Sequence, residues 1–164
     1  MIAERYSCKS LSQLSPEMGR VVQQPGSVPT FKTDILAYWD ALASWQITGE
    51  TGIGWFELKR RTYEGREVER HLLTPEALMC FQGSAAVLVG RPKDPSALQG
   101  SDFDAFYLEQ GQGIVLAPGA WHALPFPLNE KAVFGVIFRK GTAHEDLQVL
   151  DLEEERGFHF ALLL

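Results

Sequence analysis

Only two cysteines, Cys8 and Cys80, occur in 164 residues. That is too few for a disulfide framework and fits a chain that folds with reduced thiols. Long apolar runs are scarce as well. The longest, residues 85–89 and 132–138, fall far short of the roughly 20 residues a membrane-spanning helix needs. There is no basic excess: 15 Lys and Arg against 21 Asp and Glu give a net charge of −6. With no basic stripe either, the charge argues against a nucleic-acid partner, because phosphates reward clustered cations. No repeat, low-complexity tract or linker divides the chain, and no secretory signal pattern is expected at its start. A soluble protein in a reducing cytoplasm is the expected setting, without a membrane or nucleic-acid partner.

What the sequence does have, from Ile53 onward, is short strand-like segments punctuated by Gly, Pro and Asp. The expected strands are residues 55–59, 66–72, 78–82, 85–90, 103–108, 113–116 and 133–138. Strands recurring every eight to twelve or so residues with turns between them predict an all-β sandwich or barrel. Residues 91–101 read as a surface loop, and the acidic stretch Asp151 to Glu155 as a solvated helix end or turn. The first third is broken by Pro16, Pro25, Gly26 and Pro29. Within it, residues 34–45 suit a capped helix, but Tyr38, Trp39, Trp45 and Ile47 suit strands equally well. A chain of this length is expected to form one domain burying roughly two thirds of its unfolded surface.

The chemistry concentrates at Glu69-Arg70-His71, followed by Glu76 beyond the Thr74-Pro75 break and by His122 some fifty residues later. Glu69 and His71 are two apart, so a β-strand points both to one face, with Val68, Arg70 and Leu72 on the other. Two of those three are apolar, so both faces are expected to be at least half covered. Two carboxylates and two imidazoles buried together cost several kcal/mol unless a cation compensates them. Glu69, His71, Glu76 and His122 are therefore the expected metal ligands, a donor set that suits Zn, Ni, Mn or Fe. His144 and His159 read as surface or hydrogen-bonded residues. Trp121 reads as a pocket wall, and Arg60, Arg70 and Arg139 are the candidate cations for a substrate carboxylate. Neither cysteine has a basic neighbour in sequence that would make it a nucleophile.

The spacing resembles the double signature of cupin barrels. Glu69-x-His71-x4-Glu76-x6-Gly83 is similar to the first cupin motif, with Glu69 where the leading His stands and Tyr63 where the opening Gly stands. Gly111-x5-Ala117-x-Gly119-x2-His122 is similar to the second, with Ala117 in the Pro position and Phe126 in the Asn position. The resemblance implies a cupin-type double-stranded β-helix. Residues 1–50 would form an N-terminal strand or helix extension, 51–140 the barrel core with both motifs, and 141–164 a C-terminal segment.

More specifically, Glu69-Arg70-His71-x4-Glu76-Ala77, Gly113-x7-Trp121-His122-x2-Pro125 and Phe134 to Arg139 resemble the ureidoglycolate lyase family. Where the family commonly has Gln, this chain has Glu76. The resemblance implies conversion of (S)-ureidoglycolate to glyoxylate and urea in allantoin breakdown, by a homodimeric cytoplasmic enzyme using a divalent metal, nickel or zinc. It implies catalytic roles for Glu76, His122 and Glu69, and a small-molecule carboxylate substrate held by Arg139, Arg60 and Trp121. Two alternatives stay open from the residues. One is another cupin enzyme acting on a small hydroxy or sugar acid, and the other is a cupin that binds a small molecule without turning it over.

Overall fold

Alternating and apolar segments between glycine and proline breaks become strands in the computed structural model, which describes residues 2–94 and 96–164. Gly19–Val22, Gly113–Leu116, Glu76–Gln82, Lys131–Arg139 and Thr51–Lys59 lie side by side, all antiparallel, as a five-stranded sheet. A nine-stranded sheet runs Gln148–Asp151, Glu67–Arg70, Trp121–His122, Ser84–Gly90, Phe103–Glu109, Ile2–Lys9, Phe158–Leu163 and Glu64–Gly65, with Phe126–Pro127 beside Ser84–Gly90. Ile2–Lys9 is parallel to both its neighbours, and the remaining pairs are antiparallel.

All seven expected strands are present, Gly113–Leu116 with the expected ends and the other six with shifted ones. The segment expected over 66–72 stops at Arg70, and Leu72 is exposed. Residues 34–45 form no helix; Ala37–Tyr38 pairs with Phe31–Lys32 instead. The 91–101 segment holds the Gly100–Asp102 turn and the buried Leu98, while its Pro95 lies outside the described residues. Leu152–Arg156 is a short helix whose N-cap Asp151 accepts from the Glu153 and Glu154 amides at 3.0 and 3.1 Å. Among the described residues only this helix and Thr142–Glu145 are α-helical, and neither is long and apolar enough to cross a membrane. The architecture is the all-β, cupin-type barrel.

Strand parity decides which side chains meet the barrel interior. From Ser84–Gly90, Val87 and Val89 enter one core with Leu78, Cys80, Phe106, Ile114, Phe134 and Val136. Ala86 and Leu88 face a second core with Trp121, Ala123, Phe126, Phe158 and Phe160. That strand is buried on both faces, so its sequence is continuously apolar. Each fully buried Phe, Leu or Val contributes about 1.5–3 kcal/mol. Gly83, at φ +77°, lets the chain step from one sheet to the other. A Cβ there would lie 2.7 Å from the Lys131 carbonyl oxygen.

Candidate metal centre

Three loops and strands place the cluster. Glu69 lies on Glu67–Arg70, and His71 follows directly as the chain leaves the strand. Glu76 opens the next strand of the opposite sheet, on the same face as the core residues Leu78 and Cys80. His122 pairs with Glu69 across Trp121–His122. His122 faces inward because Trp121, its neighbour, faces the second core.

The four side chains converge. Glu76 Oε2 lies 3.0 Å from His122 Nε2 and 3.3 Å from His71 Nε2, and Glu69 Oε1 lies 3.5 Å from His122 Nε2. Ligand atoms of Glu69, His71 and His122 all fall within 4.8 Å of one another. His71, Glu76 and His122 are buried, while Glu69 is half-buried. The outer nitrogens are committed to the backbone. His71 Nδ1 donates to the Asp146 carbonyl at 2.7 Å, and His122 Nδ1 to the Ala120 carbonyl at 3.1 Å. A carbonyl only accepts, so each Nδ1 carries the proton and each Nε2 is presented to the cluster.

Electrostatics follows from this crowding. Burial would hold His122 neutral, but the adjacent Glu76 and Glu69 carboxylates outweigh it and push its pKa up to about 10. Burial likewise opposes ionisation of Glu76, yet the two imidazoles bring its pKa down to about 2. For His71, burial is overcome by Glu76, with the result again upward. Even so, Glu76 Oε2 and His122 Nε2 have no hydrogen-bond partner. Their close approach is ionic contact rather than an aligned hydrogen bond. Two buried atoms facing one point without partners, in a His and carboxylate donor set, fit a divalent cation.

Parity also explains what is not brought together. Phe138 packs edge-on to His71 with ring centroids 5.9 Å apart, so the next residue, Arg139, leaves the other side of its strand. Its guanidinium pairs with Glu145 at 3.2 Å and its amide donates to Thr74 Oγ1. Arg60 is exposed, with its amide bonded to the Glu130 carbonyl. Trp121 is buried in the second core beneath Arg70, whose guanidinium carbon sits 4.4 Å from the indole centroid. Arg70 also donates to Gln148. His144 is exposed, and His159 pairs with Glu153 at 3.7 Å.

A groove of about 610 Å³ reaches Glu69 and His122 and is lined by Lys59, Arg61, Phe126 and Phe160 among others. Two guanidiniums line this groove: Arg66, which pairs with Asp151 and Glu153, and Arg61, one residue on from Arg60. It donates to the Leu124 and Pro125 carbonyls at 2.8 and 2.9 Å and lies 3.9 Å over the Phe126 ring. Sequence reading also missed Asp146, whose buried carboxylate accepts from the Leu72 and Leu73 amides at 2.9 and 2.8 Å. No local motif marks a residue that acts 75 positions upstream.

Fold and centre together define a cupin-type barrel with a cluster of two His and two carboxylates in its interior that could hold a metal ion. The family model for ureidoglycolate lyase matches residues 26–158, and the chain belongs to the ureidoglycolate lyase family. Comparison with curated proteins finds no match. Similar solved structures include the 3,4-ketoisomerase QdtA from Thermoanaerobacterium thermosaccharolyticum, at 18% identity over 59% of this chain and 64% of that one, TM-score 0.44. Oxalate decarboxylase from Lactobacillus farciminis matches at 19% identity over 65% of this chain and 28% of its own, TM-score 0.44. Procruciferin, the 11S globulin of Brassica napus, matches at 13% over 62% and 22%, TM-score 0.45. The chain thus spans less than two thirds of the length of each of these proteins.

Proposed function

We propose that the protein is a ureidoglycolate lyase that converts (S)-ureidoglycolate to glyoxylate and urea in allantoin breakdown. Its substrate is a small carboxylate, and its cofactor is a divalent cation, nickel or zinc, held by Glu69, His71, His122 and Glu76. The observation that carries this reading is the convergence of His71 Nε2 and His122 Nε2 on Glu76 Oε2, with two of those buried atoms lacking a hydrogen-bond partner, in a chain of this family. When bound, such a cation polarises substrate oxygens and lowers the pKa of a hydroxyl.

The reacting carbon bears a hydroxyl, a carboxylate and the urea nitrogen. Glu76, ionised at neutral pH because two imidazoles face it, takes the hydroxyl proton, a role that keeps it from being a full-strength ligand to the cation. The O–H electron pair becomes the carbonyl bond of glyoxylate. The C–N pair leaves with the urea nitrogen, which receives a proton from the site, so no water is consumed. Glu69 and His122 keep the charge balance during this transfer, and His71 is held in place by the Asp146 carbonyl. Of the cations on the groove, Arg66 is engaged by Asp151 and Glu153, which leaves Lys59 and Arg61 to receive the substrate carboxylate, in place of Arg60 and Arg139. Glu76→Gln keeps an oxygen ligand but removes the base. It is expected to retain metal and lower the rate at least tenfold, whereas an unchanged rate assigns the proton transfer elsewhere.

The same reading includes a homodimer in the cytoplasm. Ile53 and Trp55 are 80% and 64% exposed on the outer face of the five-stranded sheet, and the Trp55 and Phe81 ring centroids are 5.4 Å apart. An exposed apolar face of this kind supports pairing of two copies. Both cysteines are free thiols, which supports a reducing compartment.

A further inference from the structure

Away from the metal centre, a second cavity of about 430 Å³ lies between the turn at residues 16–19, the Ala117–Pro118 turn and residues 44–46. None of the four clustered His and Glu residues lines it. Two guanidiniums do, Arg20 and Arg91, together with Trp45. Both are pinned to one turn. Arg20 Nη1 donates to the Pro16 and Gly19 carbonyls at 2.7 and 3.1 Å, and Arg91 Nη1 to the Glu17 carbonyl at 2.8 Å.

The choice of nitrogen matters. Nη1 lies on the Cδ side of the guanidinium, away from the Nε–H. Bonding it to the backbone anchors each exposed side chain at the turn and leaves the Nε–H and Nη2–H edge without a hydrogen-bond partner among the described residues. That edge binds the two oxygens of a carboxylate or phosphate in parallel. Neither arginine takes part in a salt bridge among the described residues. The Glu17 side chain is the acid on the lining. Two anchored cations against one carboxylate leave this cavity positive, in a chain whose net charge is −6. Trp45, Pro16, Pro75, Leu116 and Pro118 give it apolar walls, and its volume is that of a small-molecule site.

We propose that this cavity is a second binding site, separate from the metal centre, for a small organic oxyanion held by Arg20 and Arg91 with its body against Trp45. The oxyanion is a carboxylate or a phosphate ester, and the two share the chemistry that the paired edges recognise. Occupancy is in a position to reach the metal centre. Pro75 immediately precedes Glu76, and the Ala117–Pro118 turn leads to Gly119, whose amide donates to the His71 carbonyl at 2.6 Å.

The test is calorimetric titration of the full-length, as-purified protein with inorganic phosphate and, separately, with succinate. Arg20→Ala, Arg91→Ala and His122→Ala are titrated alongside. The expected result is saturable binding of one probe per chain, weakened at least tenfold in each arginine variant and retained in His122→Ala. The probe that binds more tightly identifies the head group. Arg20→Lys keeps the charge but not the two-donor edge. It is expected to weaken binding as well, which covers an alanine variant that does not fold. Three results overturn the site: no saturable binding of either probe, arginine variants that bind as tightly as the parent, or binding abolished by His122→Ala. The lyase reading is untouched by any of them, because turnover of ureidoglycolate is measured separately.

Discussion

Removing the Asp146 carboxylate tests how the proposed metal centre is held together. This buried side chain accepts two hydrogen bonds, from the Leu72 and Leu73 amides at 2.9 and 2.8 Å, while its own carbonyl receives His71 Nδ1 at 2.7 Å. Asp146 thereby closes the His71–Pro75 turn onto the Thr142–Glu145 helix end. A hydrogen bond to a charged acceptor contributes about 1.5–3 kcal/mol when lost from a buried site. Both leucine side chains are exposed, so water reaches the turn in part. The lower end of the range therefore applies, and Asp146→Ala is expected to cost about 3 kcal/mol, or roughly 6–12 °C in Tm for a chain of this size. The carbonyl that receives His71 Nδ1 is backbone and survives the substitution, so the ring loosens only as the turn carrying it does, and zinc binding is expected to weaken by up to about 10-fold. Urea unfolding gives the first number, and zinc titration against a competing chelator gives the second. Asp146→Asn, with one acceptor oxygen kept and an N–H turned toward an amide, falls between. An Asp146→Ala protein within 1 kcal/mol of the parent, with unchanged zinc affinity, would refute the role assigned to this residue.

In the metal-free protein His122 is protonated at neutral pH, because its pKa is raised to about 10. Zinc uptake at pH 7 must then release about one proton or more. Calorimetry in two buffers of different ionisation enthalpy is expected to give different heats, and identical heats contradict the pairing. The sign of the pH effect on stability is fixed by the same shift. A folded pKa above the unfolded value of about 6.5 gives stability fully present below about pH 6.5 and lost as pH rises through about 10. Metal-free protein is thus expected to melt lower at pH 9 than at pH 7, and His122→Ala is expected to lose that dependence. Light scattering is expected to give twice the chain mass for the parent, as the proposed pairing requires, and a single chain's mass for Trp55→Asp, with little loss of stability since Trp55 is exposed. An unchanged mass removes this face from the interface.

How much was legible in the sequence depended on whether the cause was local. The strand around Ser84–Gly90 was readable because both its faces are buried, making the run continuously apolar. Ile2–Lys9 and Phe158–Leu163 were missed although their burial alternates residue by residue, because they pair in parallel with each other across almost the whole chain. The cluster of Glu69, His71, Glu76 and His122 was readable from period and spacing, although His71 follows the strand rather than sitting within it. The cations were not. Arg60 and Arg61 are indistinguishable in sequence, and only the bonds of Arg61 to the Leu124 and Pro125 carbonyls place it on the groove. Asp146 left no signal either, because its partners are backbone amides, which look alike at every position.

The most direct measurement is glyoxylate release from racemic ureidoglycolate, with and without added nickel or zinc, beside His122→Ala and the spontaneous background. A metal-dependent lyase centred on His122 predicts release well above background that is lost in the variant. Release no faster than in His122→Ala would contradict it.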